Sequence, residues 1–214
     1  MSLIQLLKPT RAEYVYIKGL FDFDELVEGL RRENYEVASV EEIASERVVH
    51  GNESEIANRK GYVREGVIYT PEGVFITKKS PILFNLKKAT DCHKAGEEFY
   101  ISSADMENAL SDSVQIWNPR ATPLCWGEYP VPNSPGFTDE VSEYLFGKNG
   151  KRYEDFIKSH WTLCGKISIK ISYITAEAIK KPFARQLWLG KFDMNGKSSL
   201  TGHGNGVFGK DKAK

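Results

Sequence analysis

Three cysteines and four histidines are the side chains of this sequence that could bind zinc or form a nucleophile with its base. Cys92 and His93 are adjacent, so an extended backbone would point them to opposite faces. His160 and Cys164 are four residues apart, which would put them on one face of a helix. Zinc sites usually contain closely spaced ligand pairs such as Cys-x-x-Cys, and the sequence has no such pair. We therefore expect free thiols, no metal site and no cofactor.

A cysteine-dependent hydrolase is an alternative function. Cys125 lies in a proline-containing segment where a nucleophile could be exposed, and His93, His160 or His203 could act as its base. No Gly-x-Ser-x-Gly nucleophile elbow is present. The neighbouring carboxylates at positions 22/24, 41/42 and 97/98 are explained by helix capping or by an exposed surface. The sequence therefore assigns no catalytic residue and leaves enzyme activity undecided.

Basic residues near the C-terminal end suggest a second alternative, a nucleic-acid-binding accessory protein. They lie in a predicted strand, just after it and in the last residues: Lys166, Lys170, Lys180, Lys181, Arg185, Lys210, Lys212 and Lys214. Such residues can contact phosphates, but outward lysines on a strand are also typical of a solvated surface. The chain has 29 Lys and Arg against 29 Asp and Glu, so composition gives nucleic acid no general support.

The least regular segment combines prolines with aromatic residues. Five of the nine prolines lie within residues 119–135, which excludes a helix or a central strand there. Trp, Tyr and Arg are the residue types that dominate binding energy at interfaces. The candidate binding residues of this segment are Trp117, Arg120, Trp126, Glu128 and Tyr129. The leading prediction is a binding or interaction protein that contacts a protein partner through residues 117–135, although the tryptophans could instead fill the core.

The elements that would position these residues follow from apolar spacing. Residues 166–173 alternate large apolar residues with Lys and Ser, a period typical of a strand with one buried face. Ser39 followed by Glu42 is a capping box, which predicts a helix beginning after Ser39. Residues 70–73 form a turn with Pro and Gly at favoured positions, between strands predicted at 62–69 and 74–77. A third strand is predicted at 80–84.

The irregular order of strands and helices predicts an α+β fold, with an antiparallel or mixed sheet packed with several helices in one principal domain. That domain is expected to span residues 1–192, with a candidate sub-boundary within 118–137. Residues 193–214 are rich in Gly and Lys and are expected to be a flexible tail. Apolar runs are far shorter than the roughly 20 residues that a membrane helix needs, and unpaired cysteines are typical of the cytoplasm. We therefore expect a soluble cytoplasmic protein with no membrane partner.

Overall fold

The computed structural model describes most of the chain, with gaps. The described residues are 5–7, 13–19, 22–53, 56, 58–117, 139–160, 168–170, 179–190, 193–197, 200 and 206–213. Every structural statement below concerns these residues.

The strands form one mixed sheet. Their bounds are β1 Gln5–Leu7, β2 Tyr14–Lys18, β3 Tyr35–Val37, β4 Gly61–Thr70, β5 Gly73–Thr77, β6 Phe99–Tyr100, β7 Ser113–Trp117, β8 Ser168–Lys170, β9 Phe183–Leu189, β10 Asp193–Lys197 and β11 Gly206–Asp211. The order along the sheet is β1-β2-β11-β4-β9-β10-β8, while β3 joins β11, β6 joins β9, and β5 links β4 to β7. The β11–β4 and β10–β8 pairs are parallel, and the other pairs are antiparallel.

Helices cover both faces of this sheet. Their bounds are α1 Phe23–Arg32, α2 Val40–His50, α3 Pro81–Phe84, α4 Leu86–Lys94, α5 Ser103–Leu110, α6 Asp139–Phe146 and α7 Gly150–His160. The predicted capping box at α2 is present, because Ser39 Oγ accepts a hydrogen bond from Glu42 N and Glu42 accepts one from Ser39 N. The α+β class with a mixed sheet is therefore confirmed.

The apolar side chains form one core on each face of the sheet. The first core packs α2, α6 and α7 against residues such as Tyr69, Val74 and Phe183. The second core packs α1 and α4 against residues such as Tyr62 and Trp188. Among the described residues, no helix has the length and apolar composition needed to cross a membrane.

Two local expectations are corrected by the structure. Residues 80–84 were predicted as a strand, but Pro81–Phe84 is a short helix with Pro81 in its first turn, a position where proline is favoured. Residues 193–214 were expected to be a flexible tail, but β10 and β11 lie within them. β11 lies between β2 and β4 inside the sheet. Its backbone is therefore hydrogen-bonded to strands on both sides, which a flexible tail would not be.

The alternating segment is described only in part. Ser168–Lys170 is a strand, as the alternation predicted, and it pairs in parallel with β10. The rest of residues 166–173 lies outside the described residues, so the inward direction of its isoleucines stays a prediction. The division into one domain over 1–192, with a sub-boundary within 118–137, also stays a prediction.

Candidate functional site

A row of cross-strand neighbours crosses five strands on the face of the first core. In sheet order it runs through Trp117 of β7, Val74 of β5, Tyr69 of β4, Phe183 of β9 and Tyr100 of β6. Directly opposed residues in antiparallel strands point to the same face, which explains why these side chains meet. We call this set the aromatic row. Trp117 is also the last described residue before the segment that the sequence analysis predicted to bind a partner.

The rings in the middle of the aromatic row are in direct contact. Tyr69 and Phe183 stack with ring centroids 4.6 Å apart and an interplanar angle of 5°. Tyr100 meets Phe183 edge-on at 6.4 Å. The row is buried at one end and open at the other, because Trp117 is 8% exposed and Tyr100 is 54% exposed. An exposed aromatic ring that rests on a stacked pair offers a firm surface for a ligand.

An ion pair lies beside the row. Arg185 Nε donates to Glu98 Oε2 at 3.1 Å, and Arg185 Nη2 donates to Glu98 Oε1. The guanidinium carbon lies 5.1 Å from the Tyr69 centroid and 5.4 Å from that of Phe183, within the range of cation–π attraction. Burial is the largest single influence and lowers the pKa of Arg185, but the interactions with Glu98 and Tyr69 together hold the pKa above its usual value. Arg185 therefore stays charged and joins β9 to the residue that precedes β6.

Close backbone approaches hold the neighbouring strands against the row. A Cβ at Gly196 of β10 would lie 2.9 Å from Tyr69 Oη, so only glycine leaves room for that hydroxyl. Gly73 has φ of +155°, and a Cβ there would lie 2.5 Å from the Trp117 carbonyl oxygen. These two glycines allow β10 and the β4–β5 turn to approach the row.

Of the predicted binding residues, the structure describes Trp117. Trp117 belongs to the first core. For this one residue, that position agrees with the alternative given above, in which the tryptophans fill the core. Arg120, Trp126, Glu128 and Tyr129 lie outside the described residues, so their role as a contact surface stays a prediction. The sequence did not reveal Tyr69, Phe183 and Tyr100 as neighbours of Trp117, since nothing local relates positions so distant along the chain.

Only some of the basic residues that the sequence analysis proposed as phosphate contacts are available for that role. Arg185 is buried and engaged with Glu98, and Lys210 Nζ donates to Glu42 Oε1 at 3.0 Å. Lys180, Lys181 and Lys212 are exposed. Lys170 is placed by its backbone in β8, whereas Lys166 and Lys214 lie outside the described residues. Two of the proposed phosphate ligands are therefore paired with carboxylates instead.

The candidate metal and nucleophile residues are not assembled within the described part of the chain. Cys92 is a free, half-buried thiol, and His93 beside it is buried. The described residues contain no group of three or more His, Cys, Asp or Glu that could hold a metal ion. Cys125, Cys164 and His203 lie outside the described residues, so no nucleophile–base pair can be assigned.

Two buried charged residues were not foreseen from the sequence. Arg47 is completely buried and donates to Tyr153 Oη at 2.6 Å, to the Gly190 carbonyl at 2.9 Å and to the Arg59 carbonyl at 2.9 Å. The sequence did contain a signal for this burial, because Arg47 lies seven residues after Val40 and therefore on the apolar face of α2.

Glu65 accepts a hydrogen bond from Val40 N at 3.0 Å, at the start of α2. The β4–β9 register is irregular between Tyr62 and Gly66, a stretch that includes Glu65. Burial raises the pKa of Glu65 to about 7, against the lowering effect of the Val40 hydrogen bond. No periodic signal in the sequence marks this carboxyl.

Comparisons with known proteins identify the fold but no family. No family model matches the sequence, and no curated protein is similar to it. One solved structure is similar over 96% of this chain and 96% of its own chain, with a TM-score of 0.61 and 14% sequence identity. That structure is described as "Accommodation of massive sequence variation in Nanoarchaeota by the C-type lectin fold". The present chain therefore has a fold similar to the C-type lectin fold.

Proposed function

We propose that this chain is a binding protein that contacts its partner through residues 117–135, which begin at the buried end of the aromatic row, and through Tyr100 at the exposed end of the row. The observation that carries the proposal is the row itself, which ends in the exposed ring of Tyr100 and adjoins the predicted binding segment at Trp117. The proposed contact residues of that segment are Arg120, Trp126, Glu128 and Tyr129. Aromatic and Arg side chains supply most of the binding energy at interfaces.

The likeness of fold supports a recognition role. The similar structure is reported as a C-type lectin fold that accommodates massive sequence variation. A framework that keeps its fold while many positions change is suited to presenting different contact surfaces. In this chain the framework would be the sheet with its two cores, and the variable contacts would come from Tyr100 and from the segment that begins at Trp117.

The support beneath the surface would limit the entropy lost on binding. The Tyr69–Phe183 stack and the Arg185–Glu98 ion pair fix the side chains under Tyr100 before any partner arrives. Proline fixes φ, so the five prolines of residues 119–135 would also reduce the freedom that this segment loses on binding. Preorganisation of this kind improves affinity because less freedom remains to be lost.

The proposal can be tested with an array of purified proteins and a glycan array probed with the labelled chain. Affinities for the ligands found would be measured for wild type, Tyr100→Ala and Trp126→Ala. The control is Val49→Ala, which removes an equally prominent exposed apolar side chain from α2. We expect the two site variants to bind at least about tenfold more weakly, as at interface hot spots, while the control binds like wild type.

Two results would count against the proposal. One is the absence of any ligand on either array. The other is an unchanged affinity in both site variants for every ligand found.

A protein partner remains the preferred ligand, because Arg185 and Lys210 are engaged with carboxylates and weaken the nucleic-acid alternative. We also propose a cytoplasmic location with three reduced thiols, on the cysteine pattern of the sequence. Mass spectrometry of the protein isolated without reductant should find all three cysteines free. A disulfide in that sample would contradict this part of the proposal.

A further inference from the structure

Glu65 places an ionisable group between the middle of the sheet and the first turn of α2. Its side chain is buried, and its Oε2 accepts a hydrogen bond from Val40 N at 3.0 Å. Val40 is the first residue of α2. None of the ion pairs among the described residues includes Glu65. The start of α2 therefore rests on a buried carboxyl whose charge, once formed, is not balanced by an ion pair in the described part of the chain.

The strand that carries Glu65 is held by its neighbours. β4 pairs with β11, β5 and β9. Beside Glu65, the Gln186 side chain donates from Nε2 to the Glu65 carbonyl at 2.8 Å and accepts from Ser80 Oγ at 2.9 Å. A carboxylate that ionises in such a place needs water or a cation. Movement of β4 would break this network, so water reaches Glu65 at a lower cost through movement of α2.

The two ends of α2 are attached differently. Near its C-terminal end, Arg47 is completely buried and donates three hydrogen bonds to residues outside α2. The first turn is attached by the Val40–Glu65 hydrogen bond and by a partly exposed ion pair between Glu42 and Lys210. Ion pairs in contact with water contribute little to stability. The first turn is therefore the part of α2 that can separate from the sheet while the rest of the helix stays in place.

We infer that Glu65 and the first turn of α2 form a pH-sensitive latch, which is closed while the carboxyl is neutral and opens when it ionises. Opening would give Glu65 access to water and uncover Val40 and Ile43, which are completely buried in the closed state. A ligand that binds only the open form would gain affinity in proportion to the open population. The inference does not depend on the proposed contact surface.

Three other ionisable groups lie near Glu65, on its own strand, on α2 and on α6. Burial raises the pKa of Glu42 on α2, but its capping hydrogen bonds and Lys210 outweigh burial and hold the pKa below its usual value. Burial raises the pKa of Tyr144 on α6 above its usual value. Arg64 on β4 favours the charged form of Glu65, but burial is the larger influence and raises the pKa of Glu65 to about 7. Neither Glu42 nor Tyr144 therefore titrates in the range in which the latch would open.

Hydrogen exchange resolved by residue with NMR measures the opening in the full chain. The Val40 amide reports the latch, because Glu65 accepts its hydrogen bond. The amides that pair β4 with β9 report the unfolding of the whole sheet. Exchange is followed from about pH 5 to about pH 7, and the intrinsic pH dependence of exchange is divided out. Glu65→Gln can still accept the Val40 hydrogen bond without ionising, and Glu72→Gln replaces an exposed carboxyl as the control.

The Val40 amide of wild type should open at least about tenfold more often than the β4–β9 amides at every pH, since the opening is local. Its opening should rise about 40-fold from about pH 5 to about pH 7, because the pKa of Glu65 is about 7 when buried and 4.5 when ordinary. Glu72→Gln should behave like wild type, whereas the rise in Glu65→Gln should stay below about threefold.

Three results would overturn the latch. Equal opening of the Val40 and β4–β9 amides would show that the whole sheet unfolds at once. A rise below about threefold in wild type would show that the first turn opens without Glu65 becoming charged. A full rise in Glu65→Gln would assign the effect to another group. The first two results come from wild type alone, so the test stands even if Glu65→Gln does not fold.

Discussion

Replacing Glu65 by Gln should remove much of the pH dependence of the stability of this fold. The Glu65 side chain is 1% exposed, and α2 begins at its carboxyl through the Val40 N–H. No ion pair among the described residues includes it. Arg64 and the Val40 N–H favour the charged form and Glu42 disfavours it, but burial is the largest influence. The folded protein therefore holds the proton of Glu65 to a higher pH than the unfolded chain does.

The size and sign of the effect follow from linkage. The pKa of Glu65 is about 7 in the folded state, against an ordinary value of 4.5. Below pH 4.5 the carboxyl is neutral in both the folded and the unfolded state, so its burial lowers folding stability least in this range. As the pH rises from 4.5 to about 7 the unfolded chain ionises first, so folding stability falls. The full loss is about 3 kcal/mol, since each pKa unit corresponds to about 1.4 kcal/mol.

Urea unfolding of wild type and Glu65→Gln, at several pH values and constant ionic strength, measures this loss. Gln can still accept the Val40 hydrogen bond but cannot ionise, so its stability curve should lack the fall of about 3 kcal/mol. Comparing slopes removes any constant penalty from the new amide group. The control, Glu72→Gln, replaces an exposed carboxyl in the β4–β5 turn and should give a curve parallel to that of wild type. A Glu65→Gln curve parallel to wild type would refute the reasoning.

Three further substitutions test other parts of the structure. Arg47→Met should destabilise the fold by about 3 kcal/mol or more in urea unfolding, because three acceptors, two of them in buried hydrogen bonds, lose their donor. Its control, Arg32→Met on the exposed face of α1, should cost less than about 1 kcal/mol. Trp126→Ala should leave the thermal melt nearly unchanged and weaken partner binding by about 2 kcal/mol, and a stability loss of about 3–5 kcal/mol would instead make it a core residue. Ile169→Ala should cost about 2–5 kcal/mol while Lys170→Ala is almost neutral, and similar melting shifts would contradict the predicted strand register.

Local chemistry made several elements of the fold predictable. The α2 start could be read from Ser39 and Glu42, because the reciprocal capping bonds need only residues three apart. The β4–β5 hairpin could be read from Pro71 and Gly73 at their favoured turn positions. In both cases the determining interactions lie within four residues, and such interactions are visible in a sequence.

The C-terminal strand was missed because its glycines were interpreted as flexibility. Gly206 and Gly209 of β11 are packing positions instead. A Cβ on Gly206 would collide with the Tyr16 ring, and one on Gly209 would lie 2.5 Å from a Leu30 methyl. Glycine composition alone does not distinguish a mobile chain from a strand pressed against bulky neighbours, because the neighbours are nearly two hundred residues away in sequence.

The same limit explains why the candidate site was only half predictable. Trp117 could be named from residue type and from its position before the prolines. Its partners could not, because Tyr69, Phe183 and Tyr100 become neighbours only through the order of five strands. In the folded sheet, the exposure of each residue of the row, more than its residue type, decides whether it can contact a partner. Trp117 and Phe183 are buried in the first core, whereas Tyr100 is exposed. We therefore expect Tyr100→Ala to weaken partner binding, although Tyr100 lies outside the proline segment.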